Sequence, residues 1–167
     1  MVIIKSKSKL KKIIDIAKID GKSVLIKKGV FDIIHPGHIY ALDIFSKKAD
    51  IVVILIQSDK FTKKKKGKLR PINPQMQRAQ VVDGIKGVDY VYLDKSNSLE
   101  DYIKILEYFK PTIVTVISTT IQKQKKNEFL RPYWELIVYP DKKDFNVSTT
   151  TIIDNIFKKR KILRMSD

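Results

Sequence analysis

The sequence predicts a three-layer α/β domain: a parallel sheet of about five strands with helices on both faces. Three observations carry that prediction. Apolar runs of strand length alternate with longer amphipathic stretches of helix length along the whole chain. Consecutive strands joined by helical crossovers lie parallel, and the helices must cover both faces of the sheet. The run Ile51–Ile56, IVVILI, is apolar without a break, as expected of a strand buried on both sides. Finally, Gly21, Asn73-Pro74 and Pro111 stand where helices should start or stop.

Taken in order, Leu10, Ile13, Ile14 and Ala17 repeat at helical spacing and predict a helix over about 8–19 ended by Gly21. Ser23–Val30 reads as a strand, and a helix should follow from about His38 to Lys48 with Ile39, Leu42 and Phe45 inward. The apolar run 51–57 is the next strand. Residues 58–72, SDKFTKKKKGKLRPI, read as a polar loop. Asn73 then supplies an N-cap and Pro74 the first helical position of a helix reaching about Ile85. VDYVYL (88–93) is a strand, and Ser98–Lys110 a helix stopped by Pro111. TIVTVI (112–117) and ELIVYP (135–140) are strands, and Ser148 caps a last helix to about Lys161.

The 167 residues suit one domain, 1–167, with 43% hydrophobic residues to build a core. No apolar run approaches the roughly 20 residues that cross a bilayer, and the N-terminal MVIIKSKSKLKK lacks the pattern of a secretory leader. A cytoplasmic protein without membrane contact is expected. With no cysteine, disulfides, a thiolate zinc site and a cysteine nucleophile are excluded, and only two histidines disfavour a multi-histidine metal centre. A net charge of +16 favours anionic partners without choosing among nucleic acid, lipid and phosphorylated metabolites.

The strongest signal is GVFDIIHPGH, residues 29–38. It lies at the end of the first strand and the start of the next helix, where ligands of parallel sheets bind. Gly37 permits close backbone approach, and a helix starting near His38 would aim N–H groups and its positive end at the same space. His35 and His38 add two hydrogen-bond donors, and together these groups describe a polyphosphate cradle. Two structural histidines in a turn would explain either residue alone, but not the whole string.

The string resembles the G-x-F-D-x-x-H-x-G-H signature of the cytidylyltransferase-like nucleotidylyltransferases, a Rossmann-like superfamily. The stretch KGKLRPINPQMQR (66–78), followed by Val88-Asp89, is similar to the heptose-1-phosphate adenylyltransferases, and Ser148-Thr149-Thr150 to a motif they share with glycerol-3-phosphate cytidylyltransferases. The likeness covers roughly residues 8–157. It implies that His35 and His38 are the catalytic pair, contacting the triphosphate with no covalent intermediate. It implies further that Gly29, Val30, Phe31 and Gly37 bind nucleotide and that Asp32 braces the turn. Lys66 aligns with a phosphate-reaching lysine of the heptose enzymes, whereas the cytidylyltransferase alignment puts Lys65 there. Lys64 and Lys68 read as solvated charges. Arg78 matches a family arginine directed at phosphate, with a surface ion pair as the alternative, and Lys143 matches an arginine of the cytidylyltransferases.

Ser148, Thr149 and Thr150 would offer hydroxyls and N–H groups to β- and γ-phosphates. Ser118-Thr119-Thr120 reads as loop and Trp134 as packing; the tail KKRKILRM (158–165) reads as a charged helix end. Two departures stand out. Lys27-Lys28 replaces Thr-Asn before the signature glycine, and VISTTIQ (116–122) replaces the segment that touches base and acceptor in the family. The expected activity is therefore AMP transfer from ATP to a phosphorylated sugar, with Mg2+ bridging phosphates and a homodimer as the assembly. CTP with a phospho-alcohol and FAD synthesis come next. The competing class is a nucleic-acid-binding protein on the same fold; otherwise nucleic acid should bind only non-specifically.

Overall fold

A computed structural model describes residues 3–117, 135–139 and 147–163. The strands are β1 (Ile3–Ile4), β2 (Val24–Gly29), β3 (Ile51–Ile56), β4 (Tyr90–Leu93), β5 (Ile113–Ile117) and β6 (Glu135–Tyr139). The helices are α1 (Lys7–Ile19), α2 (Pro36–Ser46), α3 (Asp59–Lys66), α4 (Gln75–Asp83), α5 (Leu99–Phe109) and α6 (Thr149–Leu163). The strands form one sheet in the order β1-β4-β3-β2-β5-β6. Every pairing is parallel.

Side-chain alternation along the strands splits the core into two layers. Val53 and Leu55 of β3 pack with Leu10 and Ile14 of α1 and Leu106 and Phe109 of α5. Val52, Ile54 and Ile56 of the same strand pack with Leu42 and Phe45 of α2 and Ala79 and Val82 of α4. Each fully buried side chain of this size contributes about 1.5–3 kcal/mol, so both faces of β3 hold helices to the sheet. From β2 the chain proceeds outward through β3 to β4, then returns to place β5 on the other side of β2. That reversal opens a crevice beyond the carboxyl ends of β2 and β5.

Five local expectations are corrected. Ile39, expected inward, is 46% exposed. The sheet has a sixth strand, because Ile3–Ile4 pairs with Val91–Tyr92; two residues are too few to show a period. Residues 59–66 are helical rather than loop. Ser58 caps them by accepting from the Phe61 N–H at 3.2 Å, Phe61 and Thr62 turn inward, and Lys63–Lys66 occupy the C-terminal turn, where cations suit the helix dipole. With only one large apolar residue, the segment carries no readable periodicity. The helix expected from His38 begins at Pro36, with His35 as its cap. The next helix begins at Gln75, because the Asn73 side chain is used elsewhere; Asp59 Oδ2 accepts from the Gln75 N–H at 3.2 Å instead.

Candidate active site

The signature turns at the carboxyl end of β2. Gly29 admits no side chain there, since a Cβ would lie 2.5 Å from the Phe31 ring. Phe31 has φ 52°, a left-handed conformation unfavourable for a bulky residue. It folds its ring back over Gly29, into the core. Asp32, the next residue, is buried and holds the turn. Its carboxylate accepts from Arg70 Nε at 2.9 Å, from the Ile72 N–H at 2.9 Å and from the Asn73 N–H at 2.9 Å. Asn73 Nδ2 donates to the Asp32 carbonyl at 2.8 Å. Burial opposes the Asp32 charge, but the Asn73 and Ile72 N–H groups and Arg70 outweigh it and hold the carboxyl below its ordinary value.

The two imidazoles stack, with centroids 3.8 Å apart and planes 29° from parallel. Phe31 lies against His38 at 5.1 Å. Gly37 keeps the stack close, because a Cβ there would press on the His35 ring at 3.2 Å. Burial lowers the pKa of both histidines. For His38, neighbouring His35, Lys27 and Lys66 lower it further, to about 4. The pair is therefore neutral at physiological pH, and the Nδ1 atoms of both rings are buried without a hydrogen-bond partner. Among buried polar atoms such orphans are rare. The backbone donors differ from expectation. Pro36 has no N–H, and the His38 N–H is taken by the His35 carbonyl at 2.8 Å. The Gly37 N–H is left open among the described residues.

Other sequence-marked residues fall in three groups. Lys66 bears on the histidines, since its charge helps depress His38, whereas Lys65 lies over the Phe61 ring at 4.5 Å. The start of α6 meets the signature turn: Thr149 Oγ1 donates to the Ile33 carbonyl at 3.4 Å. Ser148 is the cap, accepting from the Thr151 N–H at 3.1 Å, and Thr150 is exposed.

Arg78 is 1% exposed, so it is not the surface residue that the ion-pair alternative required. Nε donates to the Asn73 carbonyl at 2.9 Å, Nη1 to the Val30 carbonyl, and Nη2 to the Gln57 carbonyl at 2.7 Å and to Asp59 at 2.6 Å. Its planar fork is used to join three loops. Lys143, Trp134, Ser118-Thr119-Thr120 and residues 164–165 of the tail lie outside the described residues.

Sequence reading missed a polar layer beneath the site. Lys28 is half-buried and pairs with Asp94 at 2.6 Å, with a further hydrogen bond to Ser96 Oγ. Burial lowers its pKa and Asp94 opposes that shift. A lysine on a core-facing strand position demands a buried carboxylate, and Asp94, directly after the strand YVYL, was the available one. Thr115 on β5 was also missed; its Oγ1 is buried without a partner.

Fold and site together define a Rossmann-like α/β domain with a histidine pair at the carboxyl edge of its parallel sheet. The cytidylyltransferase-like family model matches residues 26–155, and the chain belongs to that family. A relative named bifunctional protein HldE from Hahella chejuensis is 35% identical over 150 residues, 89% of this chain and 31% of its own. One of the same name from Campylobacter fetus is 36% identical over 137 residues, 81% of this chain and 28% of its own. The chain thus spans about a third of the length of the curated relatives it matches. A pantoate-beta-alanine ligase from Francisella tularensis, solved with an ATP form and beta-alanine, superposes with TM-score 0.63 at 17% identity over 98% of this chain and 79% of its own. A lipopolysaccharide core biosynthesis protein from Thermoplasma volcanium gives TM-score 0.57 at 24% identity over 72% of this chain and 96% of its own. These two share the fold. No helix among the described residues is long and apolar enough to cross a membrane.

Proposed function

We propose that residues 1–167 form one domain that transfers AMP from ATP to a phosphorylated sugar. The single observation that carries this reading is the stacked, neutral histidine pair at the start of α2, its Nδ1 atoms buried and unpartnered. In the reaction an oxygen of the acceptor phosphate attacks the α-phosphorus, the bond to the bridging oxygen breaks, and pyrophosphate leaves. Such a transfer needs no protein nucleophile; it needs positioning and stabilisation of charge on phosphate oxygens. A neutral imidazole donates one N–H to those oxygens. The Gly37 N–H, the start of α2 and Lys66 add positive potential. Thr149 and Thr150 stand at the start of α6, where the β- and γ-phosphates would lie. The likeness of residues 66–78 to heptose-1-phosphate adenylyltransferases favours ATP and a sugar 1-phosphate over CTP with a phospho-alcohol.

Mg2+ takes oxygen ligands, and the carboxylates nearest the turn are already committed, Asp32 to Arg70 and Asp59 to Arg78. Among the described residues no group of three or more His, Asp or Glu side chains could hold a metal. We propose that the ion arrives with the triphosphate, whose charge it would neutralise. We place the domain in the cytoplasm as a homodimer, which sedimentation velocity would test.

The deciding experiment is a pyrophosphate-release screen of four nucleoside triphosphates against phosphorylated sugars, phospho-alcohols and FMN. ATP with a sugar 1-phosphate should give the highest kcat/KM. Release with no combination, from folded protein that also binds no triphosphate, would sink the enzymatic reading and favour the nucleic-acid binder.

A further inference from the structure

The start of α1 has the wrong charge for a helix N-terminus. Helix starts are partially positive and favour acidic neighbours, yet the first turn of α1 contains no acidic residue, and Lys5 and Lys7 flank its cap, Ser6. A groove of about 520 Å³ opens at this point. It lies beyond the carboxyl ends of β1 and β4 and is walled by Lys5, Lys7, Lys95 and Lys104, with Asp101 the one acidic side chain.

The charges around the groove are unevenly satisfied. Lys7 lies over the Tyr108 ring at 3.9 Å. Asp101 is occupied as a helix cap, accepting from the Asn97 N–H at 2.9 Å, and Lys104 is its electrostatic neighbour on α5. Lys5 and Lys95 have no ion pair, hydrogen bond or ring contact among the described residues. Tyr92 supplies an independent signal. It lines the groove but is only 5% exposed. Its ring sits in the core, edge-on to Phe109 at 5.6 Å, and its hydroxyl has no hydrogen-bond partner among the described residues. Burial raises the phenol pKa, with Asp94 adding to it, so the hydroxyl remains a neutral donor.

We propose that this groove binds a phosphate group, held by Lys5 and Lys95, with the Tyr92 hydroxyl and the first N–H groups of α1 as donors. The site stands apart from the histidine crevice but is connected to it. Strand β4 is two places from β2, about 10 Å at ordinary strand spacing. Ser96 lines the groove and also bonds Lys28, the residue before Gly29. Two sources fit that chemistry: free inorganic phosphate, or a second phosphate at the far end of the acceptor. The latter rests on the proposed transferase reading.

The test is an NMR titration of the full chain with inorganic phosphate at roughly 0.15 M salt, where diffuse surface charge is largely screened. The backbone amides of Lys7 and Ser8 report on this groove and not on the crevice. Those amides should shift saturably, and Lys5→Ala/Lys95→Ala should weaken the affinity they report by about tenfold or more. Tyr92→Phe, which removes one neutral hydrogen bond, should weaken it by about three- to tenfold. The control Lys22→Ala/Lys86→Ala removes equal charge from exposed positions elsewhere and should change affinity less than about twofold. Silent amides, or an equal loss in the control, would overturn the proposal.

A kinetic arm then separates the sources. If Lys5→Ala/Lys95→Ala raises KM for a sugar bisphosphate and leaves a sugar monophosphate unchanged, the groove holds the acceptor. If neither KM moves while the NMR affinity falls, the groove takes free phosphate. Absence of all transfer activity would count against the transferase reading alone, since the titration still decides the groove.

Discussion

The histidine pair and the Asp32–Arg78 brace occupy the same end of the sheet and treat polar groups in opposite ways. Every charged group of the brace is matched: Asp32 accepts from Arg70, Ile72 and Asn73, and Arg78 donates to three carbonyls and a carboxylate. The histidines are stacked, neutral and left with unpartnered Nδ1 atoms. A saturated network in a buried setting rigidifies a loop. An unsaturated one at a helix start keeps hydrogen-bonding capacity unspent. Proximity to the crevice is therefore a poor guide to role, and hydrogen-bond saturation is a better one.

The largest expected effect sharpens that contrast. His38→Ala should lower kcat by about 10²–10³, the scale of losing one positioned donor, while the urea midpoint stays nearly unchanged. Full turnover in the folded variant would remove His38 from the chemistry. Arg78→Met should do the reverse. It leaves three carbonyls and Asp59 without their donor and should cost about 3 kcal/mol of stability, roughly 10 °C in Tm for a domain of this size. A stable Arg78→Met protein with a selectively raised KM for triphosphate would break the comparison and restore Arg78 as a ligand.

A third prediction uses pH. His38 titrates near 4 when folded against 6.5 as its ordinary value, so the unfolded chain takes up that proton first as pH falls. Stability should be full above about 6.5 and decline toward 4, by up to about 3 kcal/mol from this residue. His35, also lowered by burial, acts with the same sign. Asp32 is held below 3.8, so its contribution is lost only at more acidic pH. Chemical denaturation from pH 4 to 8 should show the first decline in the parent chain and a flatter profile in His38→Leu. An equally steep profile in that variant would assign the decline to other groups.

The smallest expected effect concerns the basic helix α3. Lys66, whose charge acts on His38, should matter more than exposed Lys64: Lys66→Ala should raise KM for triphosphate roughly tenfold, and Lys64→Ala should change it little. Equal effects would mean that α3 contributes a diffuse field rather than a placed cation.

Helix and strand order, the parallel sheet and the position of the signature were legible because each rests on local pattern. Strand runs such as IVVILI and helical spacing such as Leu10, Ile14 and Ala17 are read directly from the chain, and GVFDIIHPGH marks its own turn through Gly29 and Gly37. Local pattern was silent where the deciding contact is distant in sequence. The two-residue strand Ile3–Ile4 exists because β4 lies beside it, and α3 exists because the core receives Phe61 and Thr62. The role of Arg78 depends on carbonyls at Val30, Gln57 and Asn73, and that of Lys28 on Asp94 and Ser96. The residues by themselves determined which groups carry charge and hydrogen-bonding capacity. The tertiary structure alone decided which of those groups are spent within the protein and which remain for a ligand, because saturation depends on partners that chain order does not reveal.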